Sequence, residues 1–354
     1  MSCARRARRN SPSRSEVIPH YASPRAALPD TARVVGKPGA GSPIGAVCTL
    51  ISMNEIVLGD VTVTRVMEYY GSVRLSPQTF FPESEPAAWQ RNEHWLVPDF
   101  VDPDADVCVS AIQSWVLRSG GATIVVDTGV GNNKERPDTP VWHRLQTDYL
   151  DNLAAAGVQP ADVDYVINTH VHVDHVGWNT YLDNGHWAPT FPNATYLIPR
   201  ADFEFWNPEN RPSSSVDHRN LFMDSVAPIH AAGQALLWED SFDINADLRL
   251  QAAPGHTPGS SIVTLESGSD RAVFVGDMLH TPLQFVEPDV NSCFCEDPAQ
   301  ARATRRRVLG WAADTRTLVV PAHLGGHGAA ELARDGDTFA IKEWAPFERV
   351  TTHV

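Results

Sequence analysis

The chain has 354 residues, 42% of them hydrophobic and 20% charged, and a net charge of −15. That is enough apolar material for one large core or two smaller ones, while no apolar run approaches the roughly 20 residues a membrane helix needs; the best candidate, Ile44–Ile51, is far too short. The charge is uneven. Residues 1–52 hold eight Lys and Arg against Glu16 and Asp30, so the rest is more acidic than the whole. An acidic body argues against a nucleic-acid partner, because phosphate backbones demand a cationic surface. A cytoplasmic protein with no membrane partner is expected; its oligomeric state is left open, a homodimer being one option.

Five cysteines, Cys3, Cys48, Cys108, Cys293 and Cys295, are an odd number in a long chain, which favours free thiols over a disulfide framework. Residues 1–52 are rich in Arg, Ser, Pro and Ala and show no sustained periodicity. The pairs Arg5–Arg6 and Arg8–Arg9 are followed by polar residues rather than the apolar stretch of an export signal. A disordered extension over 1–52 and a single catalytic domain over 53–354 are expected, with Met53 as an alternative start.

From Met53 the pattern becomes regular. Ile56–Leu58 and Val61–Val66 read as a hairpin around Gly59–Asp60. Residues 76–105 carry Phe80, Phe81, Trp89, Trp95 and Phe100 among many prolines, the composition of a long ordered flap. Strands are expected at Ser114–Leu117 and at Thr123–Val126, the second ending in Asp127-Thr128-Gly129. The spacing of Val141, Leu145, Tyr149, Leu150 and Leu153 predicts an amphipathic helix over 140–156. Asp164–Asn168 is a short buried strand that runs into His170-Val171-His172-Val173-Asp174-His175. After a strand at Thr195–Ile198 and a helix from Arg200, Leu248–Ala252 precedes Pro254-Gly255-His256. Ser261–Leu265 and Ala272–Val275 follow, the latter ending in Gly276-Asp277; then come a helix over Pro298–Ala313 and a strand, Thr317–Val320, ending in Pro321-Ala322-His323. One device recurs: an apolar strand whose end delivers a polar residue. Strands mixed with helices over this length indicate an α/β architecture.

The densest chemistry is His170-x-His172-x-Asp174-His175. Alternate side chains of extended backbone share a face, so His170 and His172 can reach one ion, and Asp174 and His175 can point at a second after the chain turns. Imidazole and carboxylate are ligands zinc takes. Four ligands are too few for two hydrolytic metals, and His256, Asp277 and His323, each at a later strand end, are the candidates for the rest.

Together with Asp127-Thr128-Gly129, these motifs resemble the metallo-β-lactamase superfamily over residues 56 to about 328. The resemblance implies a four-layer αβ/βα sandwich. It implies two Zn2+ per chain, with Mn, Fe or Co as substitutes: His170, His172 and His256 on the first, Asp174, His175 and His323 on the second, Asp277 bridging, and Asp127 orienting ligands from behind. It further implies a hydrolase in which a metal-bridging hydroxide attacks the carbonyl of a lactone or carboxylic ester on a small, fairly apolar substrate, with Asp277 fixing the metal pair and Asp174 helping with the proton. Phosphotriester hydrolysis and a mononuclear iron sulfur dioxygenase are the alternatives.

Class B β-lactamases generally lack the His after the Asp, and many carry Cys where Asp277 stands. Many acyl-homoserine lactonases have Tyr where this chain has His280. Gly276-Asp277-x-x-His280 followed by Gln284-Phe285 looks more like the methyl parathion hydrolase branch, whose relatives include lactonases and arylesterases. His280 is therefore a candidate catalytic residue that polarises a substrate oxygen, or else a partner of a metal ligand. Trp178 and the flap aromatics read as core, with pocket lining as the alternative. His94, His143, His186, His218, His230 and His327 read as surface or ordinary core polar groups.

Overall fold

The computed structural model describes residues 54–350; the extension expected over 1–52, and its boundary, lie outside them. The first sheet is built from β1 (Glu55–Leu58), β2 (Val61–Ser72), β3 (Val101–Asp102), β4 (Val107–Ser119), β5 (Ala122–Val126), β6 (Tyr165–Ile167), β9 (Thr195–Pro199) and β10 (Ala235–Trp238). Its spatial order is β1-β2-β4-β5-β6-β9-β10, with β3 beside β4. A separate hairpin, β7 (Thr180–Asp183) and β8 (His186–Pro189), precedes β9. The second sheet runs in chain order through β11 (Ser241–Asp243), β12 (Leu248–Ala252), β13 (Ser261–Ser267), β14 (Asp270–Gly276), β15 (Leu318–Pro321), β16 (Ala330–Asp335) and β17 (Thr338–Trp344).

Period-two alternation explains how the sheets stack. Trp115, Leu117, Ile124 and Val126 of the first sheet share a core with Val263, Leu265, Ala272 and Phe274 of the second. The intervening residues point the other way. Val116, Val125 and Val166 pack beneath α4 (Tyr149–Ala155), α5 (Arg200–Trp206) and α6 (Val216–Leu221) through Tyr149, Leu153, Trp206 and Leu221. On the far side, Ile262, Val273 and Val275 pack against Val308, Leu309 and Ala312 of a long helix over Pro298–Thr315. Each face of each sheet is thus covered, giving the four layers αβ/βα. The long helix starts where Pro298 fixes its first turn and the Asp297 side chain accepts from Gln300 N, and it stops at Arg316 in a left-handed conformation.

Two expectations about elements need correcting. The helix expected over 140–156 exists only as α4; residues 140–148 are turn and loop. Long-range bonds take that backbone out of the helix. Asn132 Oδ1 accepts from Thr147 N at 2.8 Å, Arg144 N donates to Lys134 O at 2.8 Å, and Arg144 has φ 52°. The flap is ordered and more helical than its prolines suggest, with short helices α1 (Pro77–Phe80), α2 (Pro86–Arg91) and α3 (Glu93–Leu96). Phe80, Phe81, Trp89, Leu96 and Phe100 anchor it in the outer core of the second sheet.

Candidate metal centre

The site forms where strands end. β5 and β6 are parallel neighbours, and so are β14 and β15. Parallel neighbours place their carboxyl ends on the same edge, so Asp127 joins the His170–His175 loop in one sheet and Asp277 joins His323 in the other. The loop after β12 brings His256. Close approach demands glycine at the end of β14: Gly276 has φ 50°, and a Cβ there would lie 2.7 Å from Thr169 Oγ1.

Two sets of side chains converge. In the first, His172 Nδ1 lies 3.1 Å from His170 Nε2 and 3.0 Å from His256 Nε2. Asp277 Oδ2 lies 3.6 Å from His170 Nε2 and 3.3 Å from His256 Nε2. In the second, Asp174 Oδ1 is 3.7 Å from His175 Nε2 and Asp174 Oδ2 is 3.5 Å from His323 Nε2. Asp277 Oδ1 faces this set, 3.1 Å from His175 Nε2 and 2.8 Å from His323 Nε2. One carboxylate therefore presents one oxygen to each set.

The outward nitrogens are held as metal-bound histidines usually have them. Thr169 Oγ1 lies 3.1 Å from His170 Nδ1, Asp127 Oδ2 lies 2.9 Å from His175 Nδ1, and Ala111 O lies 2.9 Å from His323 Nδ1. Cys295 Sγ, at 3.9 Å, is the neighbour of His256 Nδ1. Asp127 also accepts from Thr169 N and Thr169 Oγ1, both at 2.8 Å, so one carboxylate braces the start and the end of the histidine loop. A proton on each outer nitrogen leaves the inner lone pairs converging, an arrangement a cation satisfies and a dry protein interior does not. Fittingly, His175 Nε2 and Asp277 Oδ1 are buried and make no hydrogen bond among the described residues. The donor set, imidazole and carboxylate with no thiolate aimed inward, suits zinc.

Electrostatics follow the same division. Burial, reinforced by neighbouring imidazoles, holds His170 and His172 well below the usual histidine range. Burial also opposes charge on His175 and His323, but the carboxylates of Asp277 and Asp174 outweigh it and raise both. Burial would raise Asp277, but His175, His323 and His280 hold it well below the carboxylate range.

His280 stands beside these sets, its Nε2 3.1 Å from Asp277 Oδ2 and its ring stacked on His323 at 5.5 Å. Burial lowers it to about 4, so it is neutral at neutral pH, and neither ring nitrogen has a hydrogen-bond partner among the described residues. Its backbone is fixed instead, with His280 N donating to Gln284 Oε1 at 2.7 Å.

His172, Asp174, His256, Asp277, His280 and His323 line a cavity of about 740 Å³. Leu75, Phe80, Ile112, Val141, Trp142 and Phe294 give it apolar walls. Phe80 is thus a flap aromatic at the pocket, while Trp178 is core: its indole donates to Glu68 Oε1 at 2.7 Å and its ring stacks on Tyr149. One reading is corrected here. His218, taken as an ordinary polar group, lines the cavity, stacked on Trp206 at 4.1 Å with Ser215 Oγ 2.9 Å from its Nδ1. Only tertiary packing puts it there, and no local pattern marks it. Trp142 escaped notice for the same reason, lying in the segment misread as helix. Among the described residues Cys108, Cys293 and Cys295 are free thiols; Cys3 and Cys48 lie outside them.

Residues 109–323 match the family model described as the metallo-beta-lactamase superfamily. The N-acyl homoserine lactonase AttM of Agrobacterium fabrum is 28% identical over 123 residues, covering 33% of this chain and 42% of that protein. The N-acyl homoserine lactonase AiiA of Bacillus thuringiensis subsp. kurstaki is 24% identical over 172 residues, covering 46% and 60%. The chain therefore spans about half the length of the curated relatives it matches. Among solved structures, a probable metal-dependent hydrolase from Staphylococcus aureus superposes with a TM-score of 0.67 at 18% identity, covering 84% of this chain and all of that one. AidC, described as a dizinc quorum-quenching lactonase, gives 0.65 at 22% identity, covering 84% and 98%. These structural matches speak for the fold.

Proposed function

Because the chain belongs to the metallo-beta-lactamase superfamily, we propose that it is a dinuclear-metal hydrolase, loaded with zinc, that opens a lactone or carboxylic ester of a small, fairly apolar substrate. The observation that carries this reading is Asp277, whose two oxygens face two separate sets of buried ligands. His170, His172 and His256 would hold one ion and Asp174, His175 and His323 the other, with Asp277 facing both. A mononuclear iron centre would leave one complete set without a purpose.

When bound, the metals supply Lewis acidity and lower the pKa of a coordinated water toward neutrality. The chain does the rest. The apolar walls hold the acyl or alkyl part of the substrate and exclude water. Asp174, at the edge of the second set and facing the cavity, would take the proton of the attacking water and return it to the alkoxide oxygen released when the acyl C–O bond breaks. His280 is neutral and buried in the cavity wall, and donates a hydrogen bond to the substrate's carbonyl oxygen. The lactonase names of AttM, AiiA and AidC support the choice of a cyclic ester.

A panel of γ-lactones, aryl esters and phosphotriesters assayed with the zinc-loaded full-length chain tests the substrate class. Carboxylic esters or lactones should be turned over best. Preference for phosphotriesters would move the assignment, and no turnover of any member with metal in place would sink it.

A further inference from the structure

Asp202 lies in the first turn of α5, 0% exposed, and no Lys or Arg among the described residues pairs with it. Its carboxylate instead accepts three hydrogen bonds from two different loops. Oδ2 accepts from Val171 N and from Thr257 Oγ1, each at 2.8 Å, and Oδ1 accepts from Gly259 N at 2.6 Å. Val171 is the residue between His170 and His172, and Thr257 follows His256. The approach is so close that Gly259 could be nothing larger, since a Cβ there would lie 2.7 Å from Asp202 Cγ. A buried carboxylate is costly unless its acceptors are satisfied, and here the donors come from the two loops that carry the three-histidine set. A further tie, Ser261 Oγ donating to Thr169 O at 2.7 Å, lies outside the ligand-bearing residues.

We propose that Asp202 is a positioning residue that sets the spacing of His170 and His172 against His256, and so governs the affinity of the three-histidine metal site but not of its neighbour. It does for that set what Asp127 does for the loop that carries His175. The inference rests on the two-metal reading above.

Substitution by Asn probes it without removing volume. Whichever way the amide turns, its NH2 meets a backbone N–H that cannot become an acceptor. Zinc titration of the full-length chain against a chromophoric chelator gives the readout, independent of turnover. In Asp202→Asn, one of the two metal equivalents should weaken by about 10–100-fold, the scale of losing an outer partner of a ligand, while the other keeps its affinity. Thr257→Val, which removes one of the three donors, should weaken the same equivalent by less. Combined with His172→Ala, Asp202→Asn should add nothing; combined with His323→Ala, it should leave neither equivalent tight. Two unchanged equivalents in Asp202→Asn, or equal weakening of both, would overturn the role given to Asp202 while leaving the two-metal reading standing. A parent chain with fewer than two equivalents overturns both.

Discussion

Asp277 and His280 occupy neighbouring positions and do different work. Asp277 is held ionised by four histidines around it, and each of its oxygens has its own ligand set. His280 touches only the edge of that arrangement; its side chain lines the cavity, and both ring nitrogens are buried without a hydrogen-bond partner among the described residues. If it serves the substrate oxygen, His280→Ala lowers the chemical rate by about 10²–10³-fold, the scale of losing one transition-state donor, with metal content unchanged and no rescue by added zinc. Recovery of most of the rate in excess zinc would instead make His280 a support of the metals. The residue type and its spacing from Asp277 were legible in the sequence because both sit on one short turn after β14. The cavity face of His218 was not, because it depends on a stack with Trp206 from another element.

The segment joining β5 to α4 shows how an element is shaped from a distance. Arg136 donates two hydrogen bonds to Asp224, at 2.7 and 2.9 Å, and Lys134 stands 3.7 Å from the same carboxylate, all three side chains buried. Asp224 belongs to a π-helical turn, Phe222–Val226, that continues α6. Apolar periodicity suggested a helix through Val141 and Leu145, but this cluster pulls the chain outward, so that Val141 and Trp142 become pocket wall. Asp224→Ala strands a buried guanidinium and should cost about 3–5 kcal/mol of stability, read as a lowered urea midpoint. Lys134 adds a pH signature. Burial lowers it from 10.5 to about 7, so between those values the unfolded chain binds more protons than the folded one. Its contribution therefore makes stability rise with pH across that window and fall away as pH drops through 7. Comparing the urea midpoint of Lys134→Met with that of the parent at both ends of the window isolates the effect: the parent should gain more on going alkaline, and parallel profiles would assign Lys134 no such role.

In the whole molecule, two sheets meet face to face and bring strand ends from both halves of the chain to one site. Much of this could be read in advance. β6, β12, β14 and β15 announce themselves as short apolar runs broken by His, Gly or Asp, since a buried strand and its terminating turn are both local features. β10, β16 and β17 were not anticipated. Buried and half-exposed residues alternate over the first part of β16, and β17 is mostly half-exposed or exposed, so their pairing is decided by register with partners rather than by hydrophobicity. Because the two sheets and all seven candidate ligands lie within residues 54–350, a chain starting at Met53 should fold and keep its activity; loss of soluble, active protein would give residues 1–52 a structural part. Elemental analysis of the purified full-length chain after exhaustive dialysis decides whether seven side chains hold two metals. Two zinc-class ions per chain are expected, falling to one in His323→Ala; a single ion in the parent, or iron alone at one per chain, overturns the two-metal centre.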